Sequence, residues 1–178
     1  EMVESLPLLA NAERVRDELI KIIDTPRALD GIQLLEDVGL LQFIIPELRE
    51  GLGVEQNLHH IYTVWEHNLR TMKYAADKSY SFAVRMACLL HDVGKPRSKH
   101  GEGKHCTFYA HDAIGATMTK KIMERLKFPH DISHKVALLV RYHMFYYSVG
   151  EVTESSVRRL IANVGLESVE HLFEGCRR

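Results

Sequence analysis

His91 and Asp92 stand side by side at the end of an apolar run and are followed at once by Val93-Gly94-Lys95-Pro96. An imidazole next to a carboxylate offers two ligands to one divalent ion. Adjacent helical residues point ~100° apart, so both reach one ion only if it lies over the last helical turn, where Gly94 is expected to bend the chain away. A second imidazole, His67, precedes this pair inside the amphipathic segment Val64-Trp65-Glu66-His67, and Phe108-Tyr109-Ala110-His111-Asp112 opens a later helix with a third. His111, Ile114, Met118, Ile122 and Leu126 form one stripe, and Val136, Leu139, Val140 and His143 form another, so His111 and His143 are expected to face inward.

Other candidates carry less. His130 and His134 are four apart, a spacing that can chelate zinc, but they share a face with Arg141 opposite His143 and are expected in solvent. His60 lies seven residues before His67 and, on a continuous helix, ~10 Å from it along the axis. It cannot then share an ion with His67, but it can line the same groove on the substrate side. Lys95, one turn from the proposed ion, can neutralise a phosphate oxygen, whereas Arg97, Lys99 and Lys104 read as a solvated basic loop.

The elements that must position these groups read as helices almost throughout, over 13–23, 27–38, 57–76, 81–92, 111–127, 131–143 and 154–164. Phe43-Ile44-Ile45-Pro46-Glu47-Leu48, Gly51 and Gly53 read as a turn region. With no convincing period-2 strand, the fold class expected is all-α. The chain has 178 residues, 46% of them hydrophobic, enough for one substantial core. Its 23 basic and 24 acidic residues leave no global footprint for nucleic acid, so any contact with a polyanion must be local. Cys88, Cys106 and Cys176 show neither disulfide nor metal spacing and suggest a reducing compartment. No apolar run reaches the length of a membrane span and no signal pattern opens the chain, so the expected location is cytoplasmic.

The order His67, His91-Asp92, Lys95, His111, His143 resembles the HD superfamily of metal-dependent phosphohydrolases. Upstream, Ala12-Glu13-Arg14-Val15-Arg16-Asp17-Glu18-Leu19, then Val38-Gly39-Leu40-Leu41, Ile45-Pro46-Glu47-Leu48 and His59-His60-Ile61-Tyr62-Thr63-Val64-Trp65-Glu66-His67, look like the neck and HD region of class II CCA-adding tRNA nucleotidyltransferases and poly(A) polymerases. The resemblance implies a helical neck over 1–53 and an HD-domain helical bundle over 54–178. It also implies a piece of a longer protein, cut away from a nucleotide-transferring head and from a final metal-binding Asp beyond Arg178. The site would then be incomplete, with metal bound weakly, completed by Glu174 or water, or missing.

On this resemblance His67, His91 and Asp92 hold one divalent ion, and Asp92 bridges to a second held by His111 and His143. A water whose pKa the ion lowers attacks phosphorus, while Asp92 and Lys95 are the catalytic residues and Lys95 and His60 meet the substrate. Nickel, manganese, cobalt, iron, zinc or magnesium suits such ligands. The implied substrate is a nucleotide or RNA phosphate ester, with tRNA a partner of the parent protein and no membrane involved. The rival expectation is an RNA-contacting, non-hydrolytic body of a CCA-adding nucleotidyltransferase.

Overall fold

The computed structural model describes residues 11–57, 60–146 and 153–177. Every regular element among them is helical, and the sole extended pairing there is an isolated bridge between His100 and Thr107. The neck consists of α1 (Ala12–Ile23), α2 (Ala28–Asp37) and two single turns, α3 (Leu41–Ile44) and α4 (Pro46–Arg49). The segment expected as a plain turn is thus two short helices broken at Ile45, because Pro46 cannot extend a helix but fits the first position of one.

The larger helices follow as α5 (Val64–Asp77), α6 (Phe82–Leu90), the single turn α7 (Lys95–Ser98), α8 (His111–Arg125), α9 (His130–Arg141), α10 (Glu154–Val164) and α11 (Leu166–Arg177). The helix expected from 57 begins only at Val64, since Thr63 caps it: its hydroxyl accepts from the Glu66 N–H at 3.2 Å and contacts the Glu66 carboxylate at 3.0 Å. That Thr-x-x-Glu capping box was present in the sequence and overrides the apolar pattern before it. Residues 58 and 59, which that expectation also included, lie outside the described residues. The helix over 166–177 was not anticipated at all.

α6 is buried from Ala83 to Leu90 and forms the axis of the bundle, with α5, α9 and α11 packed around it. Neck and bundle share one core, in which Leu19, Ile32, Leu41 and Leu48 join Trp65, Met72, Val84, Ile122 and Leu139. Polar straps tie the same parts. Arg125 forks onto Glu47 at 2.7 and 2.8 Å, Arg97 onto Glu50 at 2.9 and 2.8 Å, and the Trp65 indole donates to Gln33 at 3.4 Å. Arg97 is exposed, as expected of the basic loop, and forms a surface ion pair with Glu50. Arg85, itself buried, donates to the carbonyls of Tyr80 at 2.7 Å, Ile23 at 2.9 Å and Thr25 at 3.4 Å, closing the C-terminal end of α1 against the start of α6.

Candidate metal centre

Asp92 sits at the hub of a buried cluster drawn from four parts of the chain. α6 ends at Leu90, and His91 and Asp92 emerge from it toward α5 and α8. The two carboxylate oxygens of Asp92 divide the imidazoles between them. Oδ2 lies 3.4 Å from His67 Nε2 and 3.2 Å from His91 Nε2, whereas Oδ1 lies 3.3 Å from Nε2 of both His111 and His143. Within the pairs, the His67 and His91 nitrogens are 3.0 Å apart and those of His111 and His143 3.2 Å apart. Lys95 Nζ approaches Oδ2 at 3.2 Å. His143 reaches the cluster from a 3-10 turn, His143–Tyr146, two residues beyond the end of α9 rather than from the helix itself.

The rings are held in one tautomer by the backbone. Nδ1–H of His91 donates to the Cys88 carbonyl at 2.6 Å, that of His111 to Phe108 at 3.0 Å and that of His143 to Val140 at 2.6 Å. With the proton on Nδ1, each Nε2 presents a bare lone pair to its neighbours. Around Oδ1, three acceptors then converge with no proton between them. A proton placed there would put a charged imidazolium in a buried site, and burial pushes His143 down from its ordinary value. Burial likewise drives His67 down to about 3, with His91 adding to the shift. Burial works against the ionised form of Asp92, but His91 and Lys95, with the contacts from His111 and His143, hold its carboxyl well below the usual range.

A cation resolves what protons cannot. Two ligands about 2.1 Å from one ion are about 3.0 Å apart at right angles and about 3.4 Å apart at the tetrahedral angle, which is the range observed around each oxygen. Two sets fit, His67-His91-Asp92 and Asp92-His111-His143, with Asp92 common to both. Imidazole and carboxylate together suit a divalent transition metal or magnesium.

The remaining sequence candidates fall in different places. His130 and His134 are exposed on α9, their rings stacked 6.0 Å apart and remote from Asp92's ligand sets. His60 is not ~10 Å up a helix from His67: because α5 starts later, it lies in the preceding loop, and its ring meets that of His67 edge-on at 5.9 Å. It is exposed, at the rim of the centre. Glu174 belongs to neither ligand set; its carboxylate accepts from the hydroxyls of Tyr74 at 2.8 Å and Tyr80 at 3.0 Å. Lys99 donates to the Glu55 carbonyl at 3.0 Å, and Lys104 is exposed.

Gly94 serves a purpose other than the one expected. Its φ of −80° is ordinary helical backbone, so no left-handed bend occurs there. A Cβ at this position would instead stand 2.4 Å from the His111 carbonyl oxygen and 2.6 Å from the Gly115 N–H nitrogen. Only a hydrogen side chain lets α8 approach closely enough to bring His111 to Asp92. The left-handed turn is at Ala110, φ 61°, immediately before His111. Gly94→Ala is therefore expected to cost about 2 kcal/mol, a fall in Tm of roughly 4–8 °C, and to weaken metal binding by displacing His111. Thermal unfolding and a metal titration would check this, and an unchanged Tm would contradict the contact.

Two supporting residues escaped the sequence reading. Asn68 is buried on α5, and its Oδ1 accepts the Asp92 backbone N–H at 3.3 Å. An Asn on the apolar stripe of Trp65, Leu69 and Met72 was the available signal. Gln56 Oε1 accepts from Lys95 at 2.6 Å, a contact between residues far apart in sequence that no local pattern announces.

Comparison with known proteins gives two family matches. Residues 64–164 match the HD domain, and residues 2–52 match the probable RNA and SrmB-binding site of polymerase A. An A-adding tRNA nucleotidyltransferase of Deinococcus radiodurans is 40% identical over 136 residues, 74% of this chain and 31% of that protein. A CC-adding tRNA nucleotidyltransferase of Thermus thermophilus is 36% identical over 145 residues, 79% of this chain and 33% of that protein. A multifunctional CCA protein of Neisseria gonorrhoeae is 29% identical over 153 residues, 84% of this chain and 37% of that protein. The chain spans about a third of the length of these relatives.

Proposed function

The chain belongs to the HD-domain family, and from that premise we propose that it is a metal-dependent phosphohydrolase acting on a nucleotide or RNA phosphate ester. The observation that carries this reading is the convergence on Asp92 of Nε2 lone pairs whose rings have already given their Nδ1 protons to backbone carbonyls. His67, His91 and Asp92 would hold one divalent ion, and Asp92, His111 and His143 a second. Bound there, such ions would supply Lewis-acid charge and a water activated for attack on phosphorus. The protein's own part is to keep the imidazoles neutral and aimed, to bury the carboxylate among them, and to hold the Lys95 ammonium beside the centre. Lys95 offsets the negative charge that grows on the non-bridging oxygens. His60, exposed beside His67, is placed to meet the substrate side.

Nickel, manganese, cobalt, iron, zinc and magnesium are the candidate ions. We place the activity within a tRNA nucleotidyltransferase or poly(A) polymerase-like protein, with tRNA as partner of the whole. The neck over 1–53 would act with the HD domain over 54–178, in the cytoplasm and without a membrane. No helix among the described residues is long and apolar enough to cross one.

A second reading has its own support, in the match of residues 2–52 to an RNA-binding site. In it the chain is the RNA-contacting, non-hydrolytic body of a CCA-adding nucleotidyltransferase. One experiment separates the two. Metal-stripped protein is given 2′,3′-cyclic nucleotides or a generic phosphodiester with nickel, manganese, cobalt or magnesium. Turnover that appears only with added metal supports hydrolysis. No turnover with any ion, together with salt-sensitive tRNA binding, supports the second reading.

A further inference from the structure

The ammonium of Lys95 lies closer to a neutral amide than to the carboxylate beside it. Nζ is 2.6 Å from Gln56 Oε1 and 3.2 Å from Asp92 Oδ2, although Lys95 and Asp92 are both buried and carry opposite charges. Both contacts are within bonding reach, so the ammonium is shared between carboxylate and amide, and the shorter contact is the one to Gln56. The amide is itself fixed in orientation. Its Nε2 donates to the Tyr62 carbonyl at 3.1 Å. A carbonyl can only accept and an ammonium can only donate, so these two partners fix which way the amide points.

The loop carrying Gln56 is anchored on both sides. The Val64 N–H donates to the Val54 carbonyl at 2.9 Å, and Lys99 donates to the Glu55 carbonyl at 3.0 Å. The Phe108 ring, 5.2 Å from Nζ, closes a further side of the lysine. Gln56 accepts one ammonium proton and Asp92 lies within ion-pair distance, and an ammonium has three donors with which to meet a substrate oxygen as well.

We infer that Gln56 is a positioning residue: together with Asp92 it fixes the Lys95 ammonium and presents it to a phosphate oxygen at the metal centre. This rests on the phosphate-ester reading of that centre. Without Gln56, Lys95 would keep only its ion pair with Asp92, and the ammonium would lose the contact that aims it at the substrate.

The test uses manganese-loaded protein with inorganic phosphate as the probe, read by calorimetry, beside kcat and KM for a phosphodiester. Gln56→Met keeps the side chain's shape and removes the acceptor. It should bind manganese as before but phosphate roughly tenfold more weakly, the loss that follows removal of a hydrogen bond to a charged group. Gln56→Glu should lose more, because its carboxylate captures Lys95 and repels phosphate. Gln56→Met combined with Lys95→Met should bind phosphate no worse than Lys95→Met alone, since both act through one ammonium. Additive losses, unchanged phosphate affinity in Gln56→Met, or loss of its manganese or its folded signal would overturn the inference. Equal phosphate affinity in wild type and Lys95→Met would instead remove the phosphate-ester reading of the centre, and the inference with it.

Discussion

Asp92→Ala is expected to abolish metal-dependent hydrolysis, by about a thousandfold or more, and to leave the protein unable to retain either ion. The reason is topological as much as chemical: one carboxylate serves both ligand sets, so its loss removes a ligand from each at once. His67→Ala removes a ligand from one set alone and His143→Ala from the other, and each should reduce metal stoichiometry without eliminating it. Asp92→Ala also strands Lys95, a buried cation whose neighbouring anion is gone, at a cost of about 3 kcal/mol in the metal-free state. Metal content by elemental analysis, turnover and thermal unfolding check the three parts separately. Full metal content in Asp92→Ala would dismiss the shared-ligand centre.

The largest purely structural effect is expected at Arg85. Its guanidinium is buried and meets three backbone carbonyls, those of Tyr80, Ile23 and Thr25. Arg85→Met retains much of the apolar stem but leaves the buried acceptors without donors, at about 3 kcal/mol after partial rehydration near exposed Thr25. The corresponding fall in Tm is roughly 6–12 °C. Arg85→Lys should recover little, since a single ammonium cannot reproduce a fork that reaches the ends of two helices. Because Arg85 touches none of the metal-centre residues, the metal affinity of folded Arg85→Met should match wild type. A Tm within two degrees of wild type would show that the three contacts add nothing.

Legibility followed the range of the interaction. Helices whose limits are set by neighbours in sequence were readable: α1, α2, α6, α8 and α10 lie within a few residues of where apolar spacing puts them. The start of α5 was misread because a capping hydroxyl at Thr63 decides it, against an apolar pattern that suggested otherwise. α11 was missed although Val169, Leu172 and Cys176 make a stripe, because its packing partners are distant helices, α5 and α6. Gly94 was noticed for the wrong reason. A glycine needed for bending and a glycine needed for close approach look alike until the opposing backbone is in view.

By itself the sequence determined the helical class and the residue types able to bind a metal, because both are legible from period and composition; the buried Asn68, Gln56 and Arg85 were not singled out, and His143 stands on a 3-10 turn beyond the helix whose period placed it. It put His67, His91, Asp92, Lys95, His111 and His143 on candidate faces. Only the tertiary structure decided that one carboxylate sits between two pairs of imidazoles, that Glu174 is tied to Tyr74 and Tyr80, and that Gln56 shares Lys95 with Asp92. Apart from the contacts of Asp92 with neighbouring His91 and Lys95, those contacts join residues 19 to 100 apart in the chain, and their distances are set by how closely whole helices approach. No local pattern encodes that approach, which here depends on the missing Cβ of Gly94 and on the shared core that seats α9 against α6 and α8 against α9.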